Sequence, residues 1–126
     1  MLAVGGHVLG EETARRDVRL ATGLAGGVGG SKQEMCGALS GGVMVIGGLC
    51  GRNSPAEDAQ SAYELAARYR ERFLAEFGST RCQDVYEQMH APGGLGSCSF
   101  VAERAARILL DILSDMANEI DKRQRR

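Results

Sequence analysis

The chain contains no tryptophan, and aromatic residues make up only 5% of its 126 residues. A core must therefore be built mainly from small and aliphatic side chains, which the hydrophobic fraction of 44% supplies. No apolar run reaches the length of about 18 residues that a membrane-spanning helix needs. The formal net charge is −1, so nothing predicts a general attraction to nucleic acid or to acidic membranes.

The N-terminus also lacks the features of a targeting peptide. Residues 1–7 carry no basic region and no cleavage site, which predicts a cytoplasmic protein. The same segment begins in the middle of an apolar pattern, without a capping residue. We therefore expect the native domain to begin upstream of Met1, and we expect residues 1–126 to form a single helical domain.

Apolar residues recur at helical spacing along most of the chain, which predicts an all-α fold. The predicted architecture is a compact bundle of five or six helices around a buried, glycine-rich helix. That central helix runs from Cys36 to Cys50 and carries no charge, so it is expected to be buried on most sides. A pair of strands is the alternative for this segment. The other predicted helices span residues 2–9, 11–24, 55–77, 81–89 and 98–120.

Capping signals set the boundaries of the later helices. Ser54 and Glu57 form a capping box around a proline, which predicts a helix that begins there and ends before Gly78. Thr80 and Gln83 form a second box. For the last helix, the candidate caps are Ser97 and Ser99. The core face of the helix that ends at residue 77 is predicted at Ala62, Ala66, Tyr69, Phe73 and Phe77.

A glycine-rich segment, Gly26-Gly27-Val28-Gly29-Gly30-Ser31-Lys32, precedes the central helix. It is similar to a phosphate-binding loop, but the order is Ser-Lys rather than Lys-Ser, and the segment before it is predicted to be helical. We therefore interpret it as a flexible loop that lets the chain pack tightly beside Cys36.

The four cysteines form no C-x-x-C pair, so spacing alone predicts no common metal or redox motif. If residues 36–50 form one helix, Cys36 and Cys50 lie roughly 21 Å apart, because each helical residue rises about 1.5 Å. A disulfide needs Cα atoms within about 7 Å. Cys50 is therefore predicted to be a buried packing residue.

Cys36, Cys82 and Cys98 share a different placement, because each is predicted at the start of a helix. A helix N-terminus lowers the pKa of a thiol and stabilises the thiolate, which is the nucleophile and metal ligand of cysteine chemistry. The residues leave open whether the three form one site or are unconnected thiols. His90, beside the loop before Cys98, is either a base or ligand for them or an exposed loop residue.

The segment Cys36-Gly37-Ala38-Leu39-Ser40-Gly41 resembles the CGAxxG signature of the C_GCAxxG_C_C family, whose members are described as putative redox-active proteins. The glycine-rich run before it and residues 43–47 after it are similar as well. The segments around Cys82 and Cys98 resemble those that carry the family's third and fourth cysteines. The resemblance extends to about Leu113, whereas the family's first cysteine, expected upstream of Met1, has no counterpart in the chain.

The resemblance implies a redox protein in which Cys36, Cys82 and Cys98 converge. They would act either as a thiol–disulfide couple or as ligands of an iron–sulfur cluster or another thiolate-bound metal. In the disulfide version Cys36 is expected to attack and Cys82 or Cys98 to resolve, as an oxidoreductase with an unidentified redox partner. An upstream cysteine would add a thiol to this site.

A non-enzymatic binding or assembly module with structural thiols is the alternative function. The last helix keeps an apolar stripe as far as Ile120, further than its own domain should need. Such a stripe usually packs against a partner, and a symmetric dimer is the commonest arrangement. We therefore predict a homodimer in which the helix around Ile112, Met116 and Ile120 takes part.

Overall fold

A computed structural model describes residues 2–126, with side chains from Val4 onward. The elements in chain order are α1 (Leu2–Val8), α2 (Glu11–Asp17), a 3₁₀ segment (Val18–Leu24), α3 (Gly37–Cys50), α4 (Gln60–Phe77), α5 (Cys82–His90) and α6 (Ser99–Gln124). Within the described residues there is no strand, and the only isolated bridge joins Met35 to Arg81. The predicted all-α fold is confirmed, while the expected opening at Met1 lies outside the described residues.

The core lies where α3, α4 and α6 pack against one another, with α1 against α3 and α6. Aromatic side chains, few as they are, occupy its centre: Tyr69 and Phe73 are almost completely buried, and the ring centroids of Phe73 and Phe77 lie 4.6 Å apart. The predicted core face of α4 is confirmed. None of the helices in the described part of the chain is long and apolar enough to cross a membrane.

Helix α3 is continuous from Gly37 to Cys50, so the strand alternative is wrong. Its buried residues run from Leu39 to Ile46, whereas Gly47, Gly48 and Leu49 at its end are exposed. The helix therefore contributes to the core from Leu39 to Ile46 but not along its last turn. The predicted burial of the glycine-rich helix on most sides is therefore not confirmed along its whole length, because its last turn lies at the surface.

Helix α4 begins at Gln60, several residues after the predicted start at Ser54. The Glu57 carboxylate accepts a hydrogen bond from the Asn53 amide at 2.8 Å, but this bond closes a turn rather than a helix. At the observed start of α4, the Asp58 carboxylate accepts a hydrogen bond from the Gln60 backbone amide. The end was predicted correctly, since Gly78 follows Phe77 with a left-handed φ of 73°.

The helix predicted over residues 11–24 is shorter than expected, because it ends at Asp17 and continues as the 3₁₀ segment. In a helix over residues 11–24, Ala14, Val18, Ala21 and Thr22 would share one face. Ala14 is buried in the protein. The other three line a large cavity instead.

Helix α6 buries its stripe from Val101 to Leu113 inside the chain's own core. Ile112 is almost completely buried, so it is not available for the dimer contact that its position in the stripe suggested. Met116 is partly buried against the core, and 46% of the surface of Ile120 is exposed. The predicted Ser97 cap is replaced by a turn, in which the Ser97 hydroxyl accepts the Ser99 amide and Cys98 holds the cap position.

Candidate functional site

The glycine-rich segment forms a tight turn rather than a flexible loop. Gly26, Gly27, Val28, Gly29 and Gly30 all have φ between 61° and 72°, a run of left-handed backbone that includes one β-branched residue. Such a conformation costs about 1–2 kcal/mol for each residue other than glycine. Backbone hydrogen bonds across the turn hold it closed, among them one from the Lys32 amide to the Gly26 carbonyl at 2.8 Å.

After the turn, residues 32–36 pair antiparallel with residues 80–83, where α5 begins. The Cys36 amide donates to the Thr80 carbonyl at 2.8 Å, and the Cys82 amide donates to the Glu34 carbonyl at 2.8 Å. Arg81 reinforces the pairing, because its guanidinium donates to the Gln33 side-chain oxygen at 2.6 Å.

This register makes Cys36 and Cys82 diagonal neighbours. Met35 lies opposite Arg81, so Cys36 lies opposite Thr80 and two residues from Cys82. Diagonal neighbours share one face of the pairing and have Cα atoms about 7–8 Å apart. A disulfide needs Cα atoms within about 7 Å. A shift of about 1 Å between the two segments would therefore bring this pair into range.

Cys98 lies in the same site as Cys36 and Cys82, and it is also at the start of a helix. The structure places Cys36 immediately before α3, Cys82 as the first residue of α5 and Cys98 immediately before α6, as the sequence predicted. All three line one cavity of about 760 Å³. Its wall is largely apolar, and the 3₁₀ segment and the start of α6 supply Val18, Leu24, Ala25, Val101 and Ala102.

Cys50 is separate from this group. It is the last residue of α3, fourteen residues after Cys36, and it does not line the cavity. Its Sγ donates to the Ile46 carbonyl at 3.4 Å, and the side chain packs against the core. Burial raises the pKa of the Cys50 thiol, as expected for a packing residue.

Burial dominates the electrostatics of Cys36. It raises the pKa of this thiol, and the neighbouring Cys82 and Cys98 raise it further. The Ala38 and Leu39 amides at the start of α3 act in the opposite direction, although they form no capping hydrogen bond with the side chain. The pKa lowering predicted for a helix N-terminus is therefore present at Cys36 but smaller than the effect of burial.

Cys98 is the exposed member of the three. Its partial burial and the nearby Cys82 raise the pKa of the Cys98 thiol, while the ammonium group of Lys32 lowers it. The three thiols thus differ in access: Cys98 faces solvent, whereas Cys36 and Cys82 are partly buried. Of the three thiols, Cys98 is therefore the most accessible to a molecule from solvent.

Three residues around the thiols were not recognised as part of a site from the sequence. The Nζ atom of Lys32 lies 3.9 Å from the centroid of the Tyr86 ring, and both side chains line the cavity. Tyr86 follows Cys82 by four residues, a spacing that places both on one helix face and could have identified it. Tyr69 was predicted only as core, yet burial and the nearby Cys36 raise the pKa of its phenol.

His90 does not line the cavity with the thiols. It is an exposed residue at the end of α5, and its ring stacks on Tyr86 with centroids 4.0 Å apart. Its Nδ1 lies 2.9 Å from the Tyr86 carbonyl. Its contact with the site is therefore indirect, through Tyr86.

A metal site formed by Cys36, Cys82 and Cys98 was one of the two expectations from the sequence. Within the described residues, no group of three or more His, Cys, Asp or Glu side chains is arranged to hold a metal ion. Cys36, Cys82 and Cys98 share a cavity but do not form such a group. Ligation of a metal or an iron–sulfur cluster by these three thiols is therefore not shown, and it stays a prediction.

Comparison with known proteins gives one family. The family model described as "Putative redox-active protein (C_GCAxxG_C_C)" matches residues 4–112. The matched range includes the glycine-rich turn, all four cysteines and the first half of α6. Searches of curated proteins and of solved structures give no match.

Proposed function

Because the chain belongs to the family described as "Putative redox-active protein (C_GCAxxG_C_C)", we propose that it exchanges thiols and disulfides through Cys36, Cys82 and Cys98. The observation that supports this most strongly is the convergence of three helix starts on one cavity, each bringing a cysteine. Packing alone gives no reason for three thiols to meet there. The reaction class is that of an oxidoreductase acting on a disulfide.

In the proposed reaction the Cys98 thiolate attacks one sulfur of a partner disulfide and releases the other half as a thiol. The Cys82 thiolate then attacks the Cys98 sulfur and displaces the second half. The Cys36 thiolate next attacks the Cys82 sulfur and displaces Cys98. This step forms the Cys36–Cys82 disulfide and regenerates the Cys98 thiol. The protein loses two electrons and two protons, and the partner disulfide becomes two thiols.

The exposure of the three thiols supports Cys98 as the attacking group. Attack requires access and thiolate character. Burial raises the pKa of both the Cys98 and the Cys36 thiols, but Cys98 is exposed and has the Lys32 ammonium group nearby, whereas Cys36 is partly buried. The role of attacking thiol that the sequence suggested for Cys36 is thus better filled by Cys98, and Cys36 is better suited to store the product disulfide.

Disulfide mapping tests the proposal. The reduced protein is incubated with oxidised glutathione, quenched with acid and alkylated, and its peptides are analysed by mass spectrometry. We expect the loss of two thiols and a linked peptide that joins Cys82 to Cys36 or to Cys98. Cys82→Ser should abolish this linkage.

Cys50→Ala is the matched control, since Cys50 lies outside the cavity. It should leave the linkage and the redox titration unchanged. Four free thiols after oxidation, or a linkage that requires Cys50, would contradict the proposal. Four free thiols would instead favour the alternative function, a binding or assembly module with structural thiols.

Three further expectations belong to the same proposal: the location of the protein, its oligomeric state and the place where its redox partner binds. All four cysteines are unpaired in the structure, which is typical of the reducing conditions of the cytoplasm. A homodimer through the end of α6 is proposed on the exposed Ile120 and the partly buried Met116. The redox partner itself would contact the open mouth of the cavity, where Cys98 is exposed.

A further inference from the structure

The charge of the cavity is concentrated at one point. Among the residues that the structure describes, Lys32 is the only charged one that lines the cavity, and most of the remaining wall is apolar. The volume of about 760 Å³ lies within the range of roughly 300–1,000 Å³ typical of small-molecule sites. A cavity of this kind suits a molecule with an apolar body and a single negative group.

Two backbone hydrogen bonds, one to the glycine turn and one to the start of α5, fix the position of Lys32. Its amide donates to the Gly26 carbonyl at 2.8 Å, and its carbonyl accepts the Gln83 amide at 2.9 Å. Its φ of 60° is unusual for a residue with a side chain, and the surrounding turn enforces it. The backbone of Lys32 is therefore fixed beside the thiols.

The ammonium group of Lys32 is available to a ligand. It lies over the Tyr86 ring, and no ion pair neutralises it among the residues that the structure describes. The aromatic face stabilises the cation and leaves its other side open to a carboxylate or sulfonate. An anion held there would lie in the same cavity as Cys98, because both side chains line it.

We propose that this cavity binds small organic anions with an apolar, preferably aromatic, body, and that Lys32 holds the anionic group. This inference rests on the proposed function, and the substrate class that follows is an anionic aryl or alkyl disulfide. The anion pairs with Lys32, the apolar body packs against Val18, Leu24 and Ala102, and one disulfide sulfur faces Cys98. The exchange then proceeds as above and releases two anionic thiols.

Binding is tested with two matched fluorescent probes, 8-anilinonaphthalene-1-sulfonate and N-phenyl-1-naphthylamine, which differ by the sulfonate. Lys32→Gln should weaken binding of the sulfonate probe about tenfold, the effect of losing one charged contact. Binding of the neutral probe should be unchanged. Lys32→Arg should retain most of the affinity for the sulfonate probe.

Lys122→Gln is the control, because Lys122 is the only other lysine and lies exposed near the end of α6. It should bind both probes as the wild type does. Ala102→Phe, which fills the cavity, should weaken both. Equal affinities of the wild type and Lys32→Gln for the sulfonate probe would overturn the inference, with circular dichroism used to establish that the variant is folded.

Rates with two disulfides separate this inference from the proposed function. The anionic substrate is 5,5′-dithiobis(2-nitrobenzoate), and the neutral one is 2-hydroxyethyl disulfide. Lys32→Gln should lower the ratio of the two rates about tenfold. Lys32-dependent probe binding without disulfide turnover would overturn the function and support the site. Turnover with an unchanged ratio and unchanged probe binding would support the function and overturn the site.

Discussion

A Cβ atom added to Gly27 would lie 2.5 Å from the Cβ of Cys82. The same atom would lie 2.9 Å from the Cα of Lys32 and 3.0 Å from the Glu34 carbonyl oxygen. The glycine turn therefore packs directly against both segments of the antiparallel pairing. The absence of a side chain at position 27 is what allows Cys82 to approach the segment that leads to Cys36.

Gly27→Ala is predicted to destabilise the protein and to disturb the Cys36–Cys82 pair. The φ of 67° at Gly27 costs about 1–2 kcal/mol for alanine. The collision with Cys82 and with two backbone atoms adds an overpacking cost of about 1–3 kcal/mol. Urea denaturation measures the loss of stability, and the rate of disulfide formation with oxidised glutathione should fall.

Gly29→Ala is the matched control for this substitution. Gly29 has a similar φ of 61°, but a Cβ there would meet no atom within 4 Å. It should therefore show the conformational cost alone, with disulfide formation close to that of the wild type. Equal losses for the two variants would mean that the close approach to Cys82 has no energetic consequence.

Alanine substitutions at two glycines of α3, Gly42 and Gly47, are expected to change stability in opposite directions. A Cβ on Gly42 would overlap the ring of Tyr69, which is buried and donates a hydrogen bond to the Ala38 carbonyl at 3.0 Å. Gly42→Ala should therefore cost about 1–3 kcal/mol, because the added Cβ forces the buried Tyr69 ring to shift and to strain its hydrogen bond to Ala38. The midpoint of urea unfolding measures this loss.

Gly47→Ala should instead stabilise the protein by about 0.5–1 kcal/mol, since alanine is the better helix former. Gly47 is exposed, and a Cβ there would meet no atom within 4 Å. A destabilising Gly47→Ala, or a neutral Gly42→Ala, would contradict the packing of α3 described above.

Local signals in the sequence located the three helix starts that bring the cysteines together. A glycine run precedes Cys36, Thr80 precedes Cys82, and serines flank Cys98, each at the start of an apolar pattern of helical period. These signals depend on a few neighbouring residues, so they can be recognised without the fold. The cysteines that share a cavity were named on this basis.

The features that were missed depend on contacts between distant segments. The pairing of residues 32–36 with residues 80–83 has no local pattern, and it sets the diagonal relation of Cys36 and Cys82. The start of α4 was misplaced because Glu57 bonds to Asn53 in a turn as readily as in a helix. The pKa of Cys36 was expected to fall, but burial depends on the whole fold and outweighs the helix start.

The proposed homodimer is tested at the end of α6. Ile120→Asp places a charge on the exposed apolar residue at this position and should convert a dimer into a monomer at micromolar concentration. Light scattering measures the mass. Leu110→Asp is the control, because Leu110 lies on the same helix with 37% of its surface exposed but away from its end. A monomeric wild-type protein, or a dimer that survives Ile120→Asp, would show that this surface is not the interface.

Alkaline pH is predicted to destabilise the reduced protein through Cys36 and Tyr69. Burial raises the pKa of both groups above their ordinary values. The unfolded chain therefore releases these protons at lower pH than the folded protein does. Stability should be complete below the ordinary thiol pKa of about 8.5 and should fall as the pH rises above it. Tyr69 adds to the loss above its ordinary pKa of about 10.

Urea denaturation between pH 7 and pH 11 in the presence of a reductant measures this dependence. Each group contributes a slope of at most about 1.4 kcal/mol per pH unit between its unfolded and folded pKa values. Cys36→Ala should reduce the loss from about pH 8.5 upward, and Tyr69→Phe should reduce it only above about pH 10. Tyr69→Phe also loses its hydrogen bond to Ala38, so it should be less stable than the wild type by about 1 kcal/mol at pH 7. A stability that stays constant or rises across this range would show that neither proton is held more tightly in the fold, and hence that Cys36 is less buried than the structure places it.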